Sequence, residues 1–148
     1  SSPNRRQAVM YLAQLKDLRS RHRVVRLLAK DSSLAVRCQA AKALGELPSS
    51  TNSHEALMSA LKQKNLGVRK CAAMALLNQG QTQPAVRAML PLLDHADGTV
   101  RSRALDVLTS AGAVVKGALP AMRKQLSRES NHLLKARLAK LVRDLEAI

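Results

Sequence analysis

Apolar and basic positions return along this chain in fixed registers. Val36, Val68 and Val100 lie 32 residues apart, and so do Arg37, Arg69 and Arg101. Ala40, Ala72 and Ala104 keep the same step, as do Leu44, Leu76 and Leu108. Projected backwards, the frame places Arg5, Ala8 and Leu12 in the Arg, Ala and Leu registers. Projected forwards with two extra residues, it places Lys135, Leu138 and Val142 there. The pattern predicts five copies of one helix, near 4–18, 34–47, 66–79, 98–111 and 132–147. Between them, apolar residues at i, i+3 and i+4 spacing predict partner helices at 22–30, 54–62, 85–93 and 118–126. That makes nine helices in antiparallel pairs, and no segment alternates as a strand would.

Turn residues punctuate these segments. "LPSSTNS" at 47–53 separates two helices, with Ser53 the expected N-cap. Gly80 and Gly112 stand where helices end in a left-handed residue. Pro84 sits near a helix start, where its missing N–H costs little. Pro91 is expected to bend its helix and Pro120 to begin one.

A helix pair every ~32 residues, unable to bury its apolar face alone, is the signature of an α-solenoid. The phrase "D-x4-VR-x2-AA-x2-LG", carried by Asp31, Val36, Arg37, Ala40, Ala41, Leu44 and Gly45, resembles the short variety of HEAT repeat. Later copies depart from it: Gln63 and His95 stand for the Asp, Leu77 and Thr109 for the Gly. An armadillo repeat would need a longer period and a third helix. The resemblance implies an all-α, right-handed α-solenoid of antiparallel helix pairs, one array over 1–148. Its opening "SSPN" lacks a Met, and a piece of a longer protein is expected.

The Arg register invites a phosphate-binding reading, but helix geometry opposes it. With each Val at 0°, the Arg falls at about 100°, beside the Ala pair and the Leu on the buried face. HEAT resemblance implies that Arg5, Arg37, Arg69 and Arg101 pair with the motif's Asp, here Asp31, and link neighbouring repeats. The opposite arc, at about 200–300°, carries Arg6, Lys42, Lys70, Arg103, Arg137 and Lys140, with Asp106 the lone acid. The resemblance places this basic stripe on the concave side, where solenoids hold extended ligands; a merely solvated face is the alternative. A second basic cluster, Arg19, Arg21, Arg23 and Arg26, lies at a turn and the helix after it. It could contact phosphates or an acidic partner, or be an ordinary surface segment.

Composition sharpens the question of partners. The chain carries 25 Lys and Arg against 10 Asp and Glu, a net charge of +15, which predicts attraction to something acidic. Tyr11 is the single aromatic, so Ala, Leu, Val and Met must fill the interior. No apolar run approaches the ~20 residues of a membrane span, and no signal peptide opens the sequence. The two cysteines, Cys38 and Cys71, suit a reducing compartment, cytoplasm or nucleus. Adjacent helices stand ~10 Å apart, beyond disulfide reach, so free thiols are expected.

No constellation for catalysis emerges. Walker loop, dinucleotide fingerprint and nucleophile elbow are missing from the sequence. His22, His54, His95 and His132 are widely spaced. His54–Glu55 is similar to one His-Glu pair of deoxyhypusine hydroxylase, whose HEAT-like site uses several; one pair cannot hold iron. HEAT-like DNA glycosylases use aromatic residues that this chain lacks. No cofactor or metal is expected. The expected function is a non-catalytic scaffold, monomeric and not inserted in membranes, binding an acidic protein segment or complex subunit. Phosphate-backbone binding to nucleic acid is the alternative, with little sequence specificity and without base stacking.

Overall fold

A computed structural model describes residues 1–15 and 17–148. Nine α-helices run through the described residues: α1 Ser2–Leu15, α2 Leu18–Lys30, α3 Leu34–Glu46, α4 Thr51–Ala60, α5 Leu66–Asn78, α6 Thr82–Met89, α7 Gly98–Ala111, α8 Leu119–Arg128 and α9 His132–Glu146. Two 3₁₀ segments, Leu90–Asp94 and Gly112–Ala118, join them, and no strand occurs among the described residues. The class is all-α and HEAT-like. The expected passage of the first helix through Lys16 lies outside the described residues. The chain divides into two compact units, Ser1–Ala85 and Val86–Ile148, with the boundary inside α6.

In the first unit, α1, α3 and α5 form one row, α3 packing on both neighbours, while α2 and α4 form a second row behind it. Each pair is antiparallel because its connection is only a few residues long. Val36, Ala40 and Leu44 of α3 and Val68, Ala72 and Leu76 of α5 are buried, so the 32-residue registers are core positions. Val24 and Leu28 of α2 and Leu57 of α4 close that core from the other row. In the second unit α7 and α9 pack together and α8 packs on α9. Val100, Ala104, Leu108, Met122, Leu138 and Leu145 fill this interior.

Helix starts follow a register of their own. Ser33, Asn65 and Asp97, 32 residues apart, and Asn131, 34 further on, are N-caps of α3, α5, α7 and α9. Each side chain accepts an N–H of the first turn: Val36, Val68, Thr99 and Leu134 respectively. A cap of this kind contributes about 1 kcal/mol. At α4 the expected cap moves. Ser50 is the N-cap, accepting the Ser53 N–H at 3.2 Å, while Ser53 Oγ accepts the Ser50 N–H at 3.0 Å. Thr51 and Asn52 extend the helix by most of a turn, and Ser53 becomes the buried third residue of a capping box. Gly80 and Gly112 adopt φ of 76° and 65°, the left-handed geometry that ends α5 and α7. At Pro91 the α-helix gives way to a 3₁₀ segment, and Pro120 lies in the first turn of α8. Residues 98–128 include one 18-residue window apolar enough for a membrane span. That stretch is divided into α7, a 3₁₀ segment and α8, and α7 has only 14 residues.

The conserved spacing of the Arg register has a hydrogen-bond cause. Arg5 grips the Asp31 carboxylate through Nε at 2.8 Å and Nη2 at 3.1 Å. Arg37 Nε donates to the Asp31 carbonyl, and its Nη1 to Gln63 Oε1 at 3.2 Å. Arg69 Nε donates to the Gln63 carbonyl. Arg101 Nη1 donates to the His95 carbonyl, while Nε and Nη2 hold both oxygens of Glu129 at 2.8 Å. Arg37, Arg69 and Arg101 thus each tie down the carbonyl six residues earlier. Arg5, Arg37 and Arg101 also reach a side chain in the following repeat.

Glu129 is the acid that the fixed 32-residue frame misses, because two extra residues precede it. It is buried, accepts the Asn131 N–H at 2.9 Å as well, and its carboxyl is held down at about 2, chiefly by the Arg101 hydrogen bonds. Its folded pKa lies below the ordinary 4.5, so its contribution is present above 4.5 and is lost as pH falls towards 2. Urea melts should show Glu129→Gln flattening the loss of stability across that window. At neutral pH Arg101→Ala should cost about 3 kcal/mol, since it strands a carboxylate that is 2% exposed. Lys140→Ala, which breaks a pair 70% and 59% exposed, should change stability by under about 0.5 kcal/mol.

Candidate binding surface

The α1–α3–α5 row presents one edge of each helix away from the core, and the basic register runs along it. Arg6 on α1 and Lys42 on α3 are exposed, and Lys70 on α5 is half-buried. The three line one groove of about 470 Å³, with Met74, Asn78 and the two cysteines between them. Arg6 and Lys42 make no ion pair or side-chain hydrogen bond among the described residues. A neighbouring groove of about 320 Å³, between α1 and α3, shares Lys42 and carries Met10, Leu47 and the acid Glu46.

The floor of the larger groove corrects the expectation of free thiols. Cys38 and Cys71 form a disulfide with Cα atoms 5.3 Å apart. The generic ~10 Å helix separation fails here because α3 and α5 meet through small residues. Gly45 lies so close to α5 that a Cβ built on it would stand 2.7 Å from the Ala75 Cα. Ala40, Ala41 and Ala43 of α3 and Ala72, Ala73 and Ala75 of α5 are buried. Where Gly45 lets α3 approach Ala75 this closely, the two backbones come within disulfide reach. Cys38 Sγ also lies 3.5 Å from the Gly67 carbonyl oxygen.

In the second unit the same register behaves differently. Arg137 donates to Ser102 Oγ at 2.9 Å and forms an ion pair with Asp106. Lys140 is paired with Asp144 one turn on, at 2.7 Å. Arg103, half-buried, adds its field to a lowering of the Asp97 carboxyl that comes chiefly from the Thr99 N–H. The six expected ligand-binding residues therefore fall three in each unit, and two of the second three are already engaged by acids. The ladder residues Arg5, Arg37, Arg69 and Arg101 stand on the neighbouring, half-buried arc and spend their donors on the fold.

The groove is half open to solvent and counts Arg6, Lys42 and Lys70 among its lining residues. Its floor offers Met74, Ala35 and the disulfide, soft apolar contacts that adapt to varied side chains. Among the described residues no three His, Cys, Asp or Glu side chains gather to hold a metal ion. A family model described as HEAT repeats matches residues 1–76 of the 148, the span that builds α1, α3 and most of α5. No curated protein matches the chain.

The staple's effect on stability follows from the loop it closes. With the cysteines 33 positions apart, the chain-entropy model assigns it about 3–4 kcal/mol. Reduction followed by alkylation should lower the urea midpoint accordingly, and Cys38→Ala/Cys71→Ala should match the reduced protein. Equal midpoints for oxidised and reduced protein would show that the loop is already ordered without it.

Proposed function

The chain belongs to the HEAT-repeat family, and from that premise we propose that it is a non-catalytic scaffold binding an acidic protein segment along the α1–α3–α5 groove. HEAT repeats generally serve as protein-interaction scaffolds. The observation that carries the finer reading is the pairing of two kinds of contact in one groove. Arg6, Lys42 and Lys70 supply positive charge at its rim, while Met74 and the Cys38–Cys71 disulfide supply a soft floor.

That combination suits a protein segment better than a phosphate backbone. A segment with Asp or Glu interleaved with Leu or Met satisfies rim and floor together. The charged rim steers encounter and sets register, and the apolar anchor gives the affinity its specificity. Among the described residues Arg6 and Lys42 form no ion pair, so a ligand meets these two cations without displacing an acid. In the second unit, by contrast, a ligand would compete with Asp106 and Asp144 for Arg137 and Lys140.

Fluorescence anisotropy with two labelled peptides of equal charge tests this reading. One interleaves Glu with Leu, and the other interleaves Glu with Ser. The Leu peptide should bind at least tenfold tighter. Arg6→Glu/Lys42→Glu should weaken both, whereas Met74→Ser should weaken the Leu peptide alone. Equal affinity for the two peptides would remove the apolar floor from the account. Indifference to the double reversal would remove the groove.

A further inference from the structure

The outer helix α2 carries a charge pattern that the groove does not use. Ser20, Val24 and Leu28 are buried and define its inward direction. Arg19, Arg23, Arg26 and Lys30 then fall together on one outward arc, about 60° wide and centred about 130° from that direction at 100° per residue. All four are exposed, and they form a spine about 16 Å long. From this ridge we infer a second binding surface, for the phosphate backbone of a nucleic-acid duplex.

Among the described residues no acid is ion-paired to the ridge. Arg23, Arg26 and Lys30 form no ion pair among the described residues, and the Asp17 carboxylate, lowered chiefly by the Ser20 N–H, takes the backbone N–H and the field of Arg19 as well. Asp17 spends its oxygens capping α2 at Ser20, and Asp31, at the other end, is taken by Arg5. Glu55 of α4 lies in the groove flanked by His22, Val25 and Ala29, on a different side of α2 from the spine. Like charges three and four residues apart destabilise a helix. The spine holds three such neighbours in a row, 19–23, 23–26 and 26–30, so an external polyanion would relieve a repulsion that the fold leaves in place.

Its chemistry selects the polyanion. No apolar side chain stands on the spine, so neither the anchor of a protein segment nor the acyl region of a bilayer finds a foothold there. Three of the four cations are Arg, whose planar fork matches phosphate oxygens. They recur every three or four residues, roughly 5–6 Å along a rigid rod, and long side chains can reach successive phosphates from there. With Tyr11 the single aromatic of the chain, there is no platform for stacking the bases of a single strand. A duplex, read through its backbone and without base preference, fits these features.

The experiment measures binding of the full chain to a labelled 20-bp duplex of arbitrary sequence, by anisotropy over a salt series. A four-phosphate contact should give a log–log slope of about −3 to −4. Arg23→Glu/Arg26→Glu should weaken binding at least tenfold, with Arg23→Gln/Arg26→Gln intermediate and all folds checked by circular dichroism. The groove variant Arg6→Glu/Lys42→Glu and the control Arg128→Glu/Lys135→Glu should each cost less than threefold. If every double reversal weakens the duplex alike, net charge alone explains the binding and the ridge is overturned. Poly-glutamate losing as much affinity as the duplex to the ridge reversal would overturn the choice of nucleic acid.

Discussion

Close contact between α3 and α5 is the constraint on which the first unit depends. Gly45 meets Ala75 with no room for a methyl group, and buried alanines keep the rest of the seam thin. Dispersion falls off steeply with distance, so a chain without Phe or Trp gains packing energy by bringing backbones together instead. Two consequences follow from that approach. Cys38 and Cys71 come within bonding reach, and the outward edges of the helices are drawn into a shallow groove with the disulfide as its floor.

Hydrogen bonds then fix the order of the repeats along the row. Arg37 joins the turn before its own helix to Gln63 of the next repeat, and Gln63 Nε2 reaches back to the Leu28 carbonyl at 3.1 Å. Gln79 Nε2 makes the corresponding reach to the Leu44 carbonyl at 2.7 Å. These side chains satisfy carbonyls that helix ends leave without partners, so their loss would expose an unmet acceptor as well as remove a bond. The apolar seam supplies attraction, and the polar ladder selects one register for it.

Much of this was legible because periodic structure needs periodic sequence. From α3 onward the Val, Ala and Leu registers mark buried positions, while in α1 Ala8 is exposed and Leu12 half-buried, and the Arg register lies beside them at the angle its hydrogen bonds require. What escaped had local causes. Glu129 sits two residues beyond the strict frame and was not foreseen as the acid of Arg101. Ser53 was expected to cap α4, and only the reciprocal bonds between Ser50 and Ser53 show that the helix begins three residues earlier. The disulfide was missed by applying an average helix spacing where Gly45 announces a shorter one. On the surface, the basic register was visible, but not that Asp106 and Asp144 occupy Arg137 and Lys140. Acids one turn away in sequence, or one helix away in space, weigh on a charge stripe that net charge alone cannot resolve. The contrast between a groove with charge and apolar floor, and a ridge with charge alone, required the burial of each position.

The central claim, that a methyl-thin seam sets the geometry of α3 and α5, is tested most directly by the thermal midpoint of Gly45→Ala. In an open helix this substitution stabilises, by up to about 1 kcal/mol, because Ala is the better helix former. Here the added carbon meets the backbone of Ala75, and the midpoint should fall, with slower closure of the Cys38–Cys71 bond on reoxidation. A raised midpoint with unchanged disulfide formation would contradict the account.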